Sequence, residues 1–304
     1  MEPVLGLHHM TAICGDAQAN VDFHVDLLGL RPIKLTVNFD DPSAYHLYYA
    51  DAVGTPGSVI TFFPYPGGRG RSGDGQVVIT HLRVPAGSLS YWQDRLADVA
   101  APGAEDGTLD VADPDGILYR LHEGAPGGER FVPWAGSPVP VEHQIRGMIA
   151  VTLQEPDPTP TAFVLQQLLG FDHDGDDPRP EHVFRAGTDE VLLKGGTKGR
   201  GNGGPGTVHH IAFRARDDAH HAEIRRILVE NRVGVTEVRD RDYFHSIYFR
   251  EPGGVLFEIA TDNPGFAIDE PVESLGASLR LPAMHEPRRA EIEANLPPLR
   301  FFRG

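Results

Sequence analysis

The chain has 304 residues with 27 basic and 43 acidic side chains, hence a formal net charge of −16. This acidic balance argues against nucleic acid as a partner, because phosphate binding needs a basic surface, and the single cysteine, Cys14, excludes an internal disulfide framework or a thiolate metal cluster. The sequence has no run of about 18 apolar residues and no secretory leader pattern. We therefore expect a cytoplasmic protein of two domains that does not associate with membranes.

Four segments of the sequence share one order of predicted elements, namely a strand, an amphipathic helix and then further strands. Their opening strands are predicted at residues 7–13, 79–84, 147–151 and 208–213. A helix is predicted after each opening strand, and Gly29 and Gly170 mark the ends of the first and third helices. Each segment is therefore predicted to be a βαβββ module.

The modules are expected to pair because each one has to bury the apolar face of its sheet. Because one βαβββ module cannot bury its sheet alone, the four modules are predicted to pair into two curved half-barrel domains with helices outside, an α+β fold. A stretch rich in glycine and proline at residues 124–140 is predicted to separate an N-terminal half, residues 1–138, from a C-terminal half, residues 139–304, with two modules in each. A short helix is predicted at residues 286–296 of the tail.

Superposition of the repeats brings out two sets of equivalent positions. The opening strands align four residues: His9, His81, Met148 and His210. The closing strands, aligned on their Pro-Gly turns, give four more: Phe62, Arg120, Lys194 and Glu258. Pairing of the first and fourth modules then combines two imidazoles, one carboxylate and one apolar corner. Pairing of the second and third modules combines two cations, which cannot hold a divalent metal.

Two imidazoles and one carboxylate on one side of a metal leave positions for substrate and dioxygen, an arrangement typical of non-haem Fe(II) oxygenases. A single buried histidine is more often a hydrogen-bonded core residue than a ligand, but a glutamate in an apolar strand is rarer, because an unpaired buried carboxylate is costly. The equivalent positions of His9, His210 and Glu258 therefore favour a metal site shared by modules one and four. Fe(II) is the expected ion and Mn(II) the alternative.

The motifs around these residues resemble a known family. They are GLHHMTAI, TVHHIAF, NFDDPSAYHLYYAD, GSVITFFPYP, PGGVLFEIATDNPGF and the tail HEPRRAEIEANLPPL. Together they are similar to the vicinal oxygen chelate superfamily, which includes glyoxalases and extradiol dioxygenases, and within it to the hydroquinone ring-cleaving dioxygenases. The likeness extends over nearly the whole chain.

The resemblance implies a mononuclear Fe(II), or in some members Mn(II), bound by residues that match His9, His210 and Glu258. It also implies five further residues around the metal: His8, Thr11, His209, Arg241 and Tyr248. Thr11 shares the strand face of His9 and can orient an imidazole through a hydrogen bond. Strand alternation turns His8 and His209 to the opposite face, so they reach the site at a bulge or at the rim, or else pack under the helices.

Other histidines are predicted to have no part in the site. His220 and His221 lie on a predicted solvated helix face, and His24 falls off the apolar stripe of the first helix. His46 and His245 are predicted to be packing or surface residues.

By this resemblance, the protein is an Fe(II)-dependent dioxygenase that opens the ring of a hydroquinone-type aromatic diol with O2, a step in the degradation of aromatic compounds. His209 and Tyr248 are the candidates for proton transfer and for holding the substrate phenolate. Arg241 is expected to orient them or to balance their charge.

Three alternatives remain at this point. A glyoxalase-type isomerase or lyase has the same fold but usually adds a second carboxylate where Phe62 is placed here. An extradiol catechol dioxygenase uses the same three ligands but needs two adjacent hydroxyls. A non-catalytic small-molecule binding protein normally lacks the ligands. The ring substituents of the substrate and the oligomeric state also stay open, although curved half-barrels often expose an edge that forms a homo-oligomer.

Overall fold

The computed structural model describes residues 2–99, 107–124 and 130–301. These ranges contain two sheets, whose strands are, in chain order, β1 (Leu7–Cys14), β2 (Arg31–Val37), β3 (Tyr45–Ala50), β4 (Val59–Pro64), β5 (Gln76–Pro85), β6 (Thr108–Ala112), β7 (Leu118–Gly124), β8 (Gly147–Gln154), β9 (Asp172–Asp174), β10 (His182–Ala186), β11 (Asp189–Lys194), β12 (Thr207–Ala215), β13 (Arg239–Asp240), β14 (Phe244–Arg250) and β15 (Leu256–Pro264). The first sheet has the order β13-β14-β15-β12-β1-β4-β3-β2, and the second has the order β6-β7-β5-β8-β11-β10-β9.

Four of the described α-helices lie between strands, as predicted, and the fifth follows the last strand in the tail, where a helix was also predicted. They are α1 (Ala17–Val21), α2 (Leu89–Arg95), α3 (Thr159–Phe163), α4 (Asp218–Glu230) and α5 (Arg289–Asn295). Single π-helical segments, Asp22–Leu27 and Val164–Leu168, extend α1 and α3. Asp16 caps α1 by accepting a hydrogen bond from the Ala19 backbone amide at 2.7 Å. Gly29 and Gly170 follow these two helices with φ values of +72° and +76°, a backbone conformation that glycine adopts without strain. None of the described helices is long and apolar enough to span a membrane.

The pairing of modules is visible in the sheet order. The first sheet consists of strands from modules one and four, joined where β1 and β12 run antiparallel, and the second consists of strands from modules two and three, joined between β5 and β8. The predicted α+β class with paired modules is therefore confirmed. Each sheet therefore contains one module from the predicted N-terminal half, residues 1–138, and one module from the predicted C-terminal half, residues 139–304. The predicted connection at 124–140 lies partly outside the described residues, since 125–129 are not among them.

Three helix histidines are buried rather than solvated, and the prediction for them was wrong. His24, His220 and His221 are 0%, 4% and 2% exposed. His24 bonds the Asn20 carbonyl at 2.8 Å and the Tyr119 hydroxyl at 2.9 Å, and Nε2 of His221 bonds the Ile259 carbonyl at 3.0 Å. Each of these rings meets a polar partner inside the protein, which removes the cost of burying it.

The segment after β15 returns across the edge strand β2. Lys34 of β2 is fully buried and its ammonium group bonds Asp269 at 2.6 Å and also Glu270. The same ammonium lies 4.8 Å from the centre of the Tyr243 ring. This buried ion pair fixes residues 266–281 against the edge of the first sheet.

Two buried carboxyl groups meet beside α3. Glu251 accepts hydrogen bonds from the backbone amides of Gly253 and Val255 at 2.7 and 2.6 Å, and from the Thr161 hydroxyl. Glu155 is 0% exposed, and neither of its oxygens has a hydrogen-bond partner. Burial, and then the neighbouring charge of Glu251, raises the pKa of Glu155 to about 8.

Substitution of Glu155 by glutamine is expected to flatten the pH dependence of stability. The folded protein keeps the Glu155 proton up to about pH 8, whereas the unfolded chain releases it near 4.5. The folded state thus binds more protons in this window, so this group lowers the free energy of unfolding as the pH rises through it, by up to about 1.4 kcal/mol per pH unit. Denaturant unfolding of both proteins at several pH values checks this. A stability difference that stays constant across the window would contradict it.

Candidate metal centre

Three ligand-type side chains converge in the middle of the first sheet. His9 lies on β1, His210 on β12 and Glu258 on β15, which are neighbouring strands. The Nε2 atoms of His210 and His9 are 2.9 and 3.3 Å from Oε2 of Glu258 and 3.3 Å from each other. Within the described ranges, these residues form the one group of three or more such side chains whose ligand atoms all lie within 4.8 Å.

Glu258 is suited to a cation rather than to a hydrogen-bonded core. It is 0% exposed, and its Oε1 accepts a hydrogen bond from the Ser246 hydroxyl. Oε2 has no hydrogen-bond partner. Burial alone would raise the pKa of Glu258, but the two imidazoles hold it well below its usual value. A buried carboxylate oxygen that faces two imidazole nitrogens is a donor set that fits a divalent transition metal.

Each of the two imidazoles is preceded by another histidine, and a β-bulge turns that neighbour towards it. The pairing of β1 with β12 skips His8 on one strand and His209 on the other. As a result, Nδ1 of His8 lies 2.9 Å from Nδ1 of His9, and Nδ1 of His209 lies 2.8 Å from Nδ1 of His210. The nitrogen of each imidazole that points away from Glu258 is thereby held, which fixes the ring orientation.

The residue of module one that is equivalent to Glu258 of module four is Thr61. The prediction that this residue is Phe62 was wrong. Thr11 of β1 stands opposite Thr61 of β4, in the same register as Ala212 of β12 opposite Glu258 of β15. Phe62 points to the other face of the sheet, where its ring centre is 4.6 Å from that of His24. The alignment on Pro-Gly turns was one residue out of register, and one residue is enough to change the face.

Thr11 contacts Thr61 directly. Its hydroxyl is 2.7 Å from the hydroxyl of Thr61, so the hydrogen bond that we expected it to make with an imidazole is made with a threonine. Thr11 is 0% exposed and lies within the sheet, beside His9 rather than in the wall of the pocket described below.

The second sheet also differs from the repeat alignment. The registers of β5 with β7 and of β8 with β11 place His122 and Glu190 at the positions equivalent to Thr61 and Glu258, in place of the predicted Arg120 and Lys194. His81 bonds His122 at 2.8 Å. Glu190 pairs with Arg179 at 2.7 Å and with Arg185 at 2.9 Å. The counterpart of Glu258 is thus neutralised by two arginines.

A cavity of about 480 Å³ opens over the three side chains. Tyr248 and Arg241 stand in its wall, with Nε of Arg241 3.2 Å from the Tyr248 hydroxyl, and Nη2 of Arg241 reaches Asp40 at 3.3 Å. Burial, and then the charge of Glu258, raises the pKa of Tyr248, so its phenol is neutral at neutral pH. His209 is exposed in the same wall, and the rest of the lining combines aromatic residues such as Phe39, Phe63 and Phe244 with polar ones such as Asn38 and Arg239.

The structure therefore brings most of the predicted site residues together. The cavity is lined by six of them: His9, His209, His210, Arg241, Tyr248 and Glu258. His8 lies behind His9 and bonds the Thr261 carbonyl at 3.2 Å. Sequence reasoning missed His46 and Tyr48, which also line the cavity. Their alternation with apolar residues along β3 places both side chains on one face and was the available signal.

The comparisons with known proteins agree with this geometry. Residues 143–259 match the Glyoxalase/Bleomycin resistance protein/Dioxygenase superfamily. The chain is 42% identical over 302 residues to "Putative ring-cleaving dioxygenase MhqO" of Bacillus subtilis, covering 97% of this chain and 96% of that protein. It is 33% identical to the chlorohydroquinone/hydroquinone 1,2-dioxygenase of Sphingobium indicum, covering 92% of each.

Solved structures show the same relationship. The crystal structure of a "putative dioxygenase" from Bacillus subtilis superposes with a TM-score of 0.93 at 40% identity over the whole of both chains. Glyoxalase I from Zea mays superposes with a TM-score of 0.60 at 13% identity, covering 84% of this chain and 92% of that one, which shows a shared fold. The chain therefore belongs to the glyoxalase and dioxygenase superfamily and, within it, to the ring-cleaving dioxygenases.

Proposed function

We propose that this enzyme is an Fe(II)-dependent dioxygenase that opens the ring of a hydroquinone-type aromatic diol with O2. The observation that carries the proposal is the buried group of His9, His210 and Glu258 at the base of a cavity with aromatic walls. The relative from Sphingobium indicum, which is named for hydroquinone cleavage, supports the choice of substrate class.

The residues around the cavity have distinct tasks under this proposal. Fe(II) bound by His9, His210 and Glu258 would supply electron transfer between the diol and O2 and would lower the pKa of a bound hydroxyl. His209, exposed in the wall, accepts the proton that the substrate hydroxyl loses. The Tyr248 phenol, oriented by Arg241, donates a hydrogen bond to the resulting phenolate.

The residue at the fourth position of the site, beside His9, His210 and Glu258, distinguishes the dioxygenase from the glyoxalase-type isomerase. A glyoxalase-type site usually takes a second carboxylate from the partner closing strand, and that position here is Thr61, whose hydroxyl is engaged by Thr11 and by His46 at 2.7 and 2.9 Å. A three-ligand site leaves more room for two reactants, as oxygen chemistry requires.

Oxygen uptake tests the proposal. Protein reconstituted with Fe(II) without air is assayed against hydroquinone, methylhydroquinone, a chlorohydroquinone and catechol. We expect stoichiometric uptake with the para-diols. Uptake with catechol alone would move the enzyme to the extradiol class, and no uptake with any diol would favour the isomerase, to be assayed with thiol adducts of α-ketoaldehydes. Full activity after exhaustive chelation would exclude the metal.

Mn(II) is the alternative ion, because it accepts the same nitrogen and oxygen donors as Fe(II). Reconstitution with each metal and comparison of the turnover rates distinguishes the two. We further propose that the enzyme acts in the cytoplasm, with no nucleic acid or membrane partner. Sedimentation analysis determines whether it is a monomer or a homo-oligomer.

A further inference from the structure

The first sheet contains a second tyrosine that is the internal counterpart of Tyr248. Tyr248 of β14 stands opposite Glu258 of β15, and Tyr48 of β3 stands opposite Thr61 of β4. Because Thr61 takes the position equivalent to Glu258, the repeat relates Tyr48 to Tyr248. The two modules therefore place one phenol on each side of the three ligand-type residues.

The residues two positions before these tyrosines, Ser246 and His46, are related in the same way. Ser246 donates a hydrogen bond to Oε1 of Glu258, and Nε2 of His46 lies 2.9 Å from the Thr61 hydroxyl. Nδ1 of His46 lies 2.9 Å from the Tyr48 hydroxyl, and the two ring centres are 4.0 Å apart. His46 therefore bonds at both nitrogens, and it fixes where the Tyr48 hydroxyl lies.

Both residues are buried yet form part of the cavity. His46 and Tyr48 are 8% and 1% exposed, and both line the cavity over His9, His210 and Glu258. Burial lowers the pKa of His46 and raises that of Tyr48, with the nearby Tyr248 adding to the latter. The pair is thus neutral, and it can offer a hydrogen bond without placing a charge beside an apolar ring.

Strand order places the two phenols on opposite sides of the three ligand-type residues. From Tyr248 the sheet runs through β15, β12, β1 and β4 before it reaches Tyr48 on β3. A para-diol has its hydroxyls at opposite ends of the ring, so one can lie at the metal-binding end of the cavity while the other extends away from it. The two hydroxyls of catechol are adjacent and both lie at the same end.

We propose that Tyr48, positioned by His46, binds the distal hydroxyl of a para-diol and so selects para-diols over catechols. The proposal rests on the proposed function, because it assigns the second hydroxyl of that substrate. A site that hydrogen-bonds a substrate hydroxyl discriminates strongly against an analogue that lacks it, since a buried polar group is then left unpaired.

Tyr48→Phe is the direct test, because it removes the hydroxyl and keeps the ring. We expect the KM for hydroquinone to rise about 10- to 100-fold, while kcat falls much less and the KM for catechol stays the same. Binding without oxygen gives an independent readout: the wild type should bind hydroquinone at least about tenfold more tightly than phenol, and the variant should bind the two equally.

Matched variants keep the result interpretable. Tyr45→Phe removes a hydroxyl from the same strand, but that hydroxyl bonds the Pro297 carbonyl at 2.9 Å and lies outside the cavity lining. The KM for hydroquinone relative to catechol and the affinity for hydroquinone relative to phenol should therefore stay at wild-type values. His46→Asn should lower the preference for hydroquinone over phenol in the same direction as Tyr48→Phe.

The outcomes separate this proposal from the proposed function. A Tyr48→Phe variant that still prefers hydroquinone to phenol as strongly as the wild type would overturn the role of Tyr48, whatever the oxygen assay gives. Wild-type protein that binds hydroquinone selectively, loses that selectivity in Tyr48→Phe and consumes no oxygen would support the role of Tyr48 and overturn the dioxygenase reaction.

Discussion

Glu258→Gln is expected to lose the metal and the ring-cleaving activity together. The amide carries no charge, so two neutral imidazoles and a neutral oxygen would face a divalent cation in a site that is 0% exposed at residue 258. We expect the loss in metal affinity to exceed the roughly 10- to 100-fold cost of removing an outer hydrogen bond. Metal content after dialysis and oxygen uptake with hydroquinone measure the two effects.

Ser246→Ala is the matched control for that variant. It removes the hydrogen bond to Oε1 but keeps the carboxylate of Glu258. We expect a loss of about 10- to 100-fold in metal affinity or activity, smaller than the effect of Glu258→Gln. Retention of metal and activity by Glu258→Gln would contradict its assignment as a ligand.

Lys34→Met is expected to cause the largest loss of stability. It leaves the Glu270 carboxylate, which is 2% exposed, without its ammonium partner. Breaking a buried ion pair from one side costs about 3–5 kcal/mol, and we expect the lower part of this range, because Arg280 at 3.5 Å and the Ser278 hydroxyl at 3.2 Å remain beside Glu270. Denaturant unfolding should show this decrease in the free energy of unfolding, and the tail at residues 266–281 should become more accessible to protease.

Two further variants test whether the buried charge of Glu270 causes the loss of stability in Lys34→Met. Lys34→Met combined with Glu270→Gln should recover much of the loss, since the buried carboxylate charge that lost its ammonium partner is then absent. Arg288→Ala breaks a pair whose side chains are 53% and 56% exposed, Arg288 with Glu291, and should change stability by no more than about 1 kcal/mol. A double variant as unstable as the single one would rule out the buried charge of Glu270 as the reason.

The module order was readable because the repeats preserve patterns that hydrophobic burial imposes. The opening strands, predicted at residues 7–13 and 208–213, are found as Leu7–Cys14 and Thr207–Ala215. Capping by Asp16 and termination at Gly29 are local effects, and they were predicted from local sequence. The partner of each module was inferred from ligand complementarity, which reflects the three-dimensional contact between β1 and β12.

The parts of the site that sequence reasoning missed depend on register and on bulges. Phe62 was placed in the corner of Thr61 because a turn-based alignment fixes a strand only to within one residue. The orientations of His8 and His209 depend on two bulges in the β1–β12 pairing, which strand alternation does not reveal. Alternation along β3 indicates that His46 and Tyr48 share a strand face, but the contact of His46 with Thr61 joins two strands and depends on their pairing.

The antiparallel pairing of β1 with β12, which joins modules one and four, has a consequence for biosynthesis. His9 and His210 are 201 positions apart in the chain, and Glu258 follows later still, so all of modules two and three are synthesised before the donor set is complete. A nascent or prematurely terminated polypeptide that ends before residue 258 therefore lacks the carboxylate. Under the proposed function, the metal site is therefore complete only after the ribosome has passed the codon for residue 258, and shorter translation products cannot assemble it.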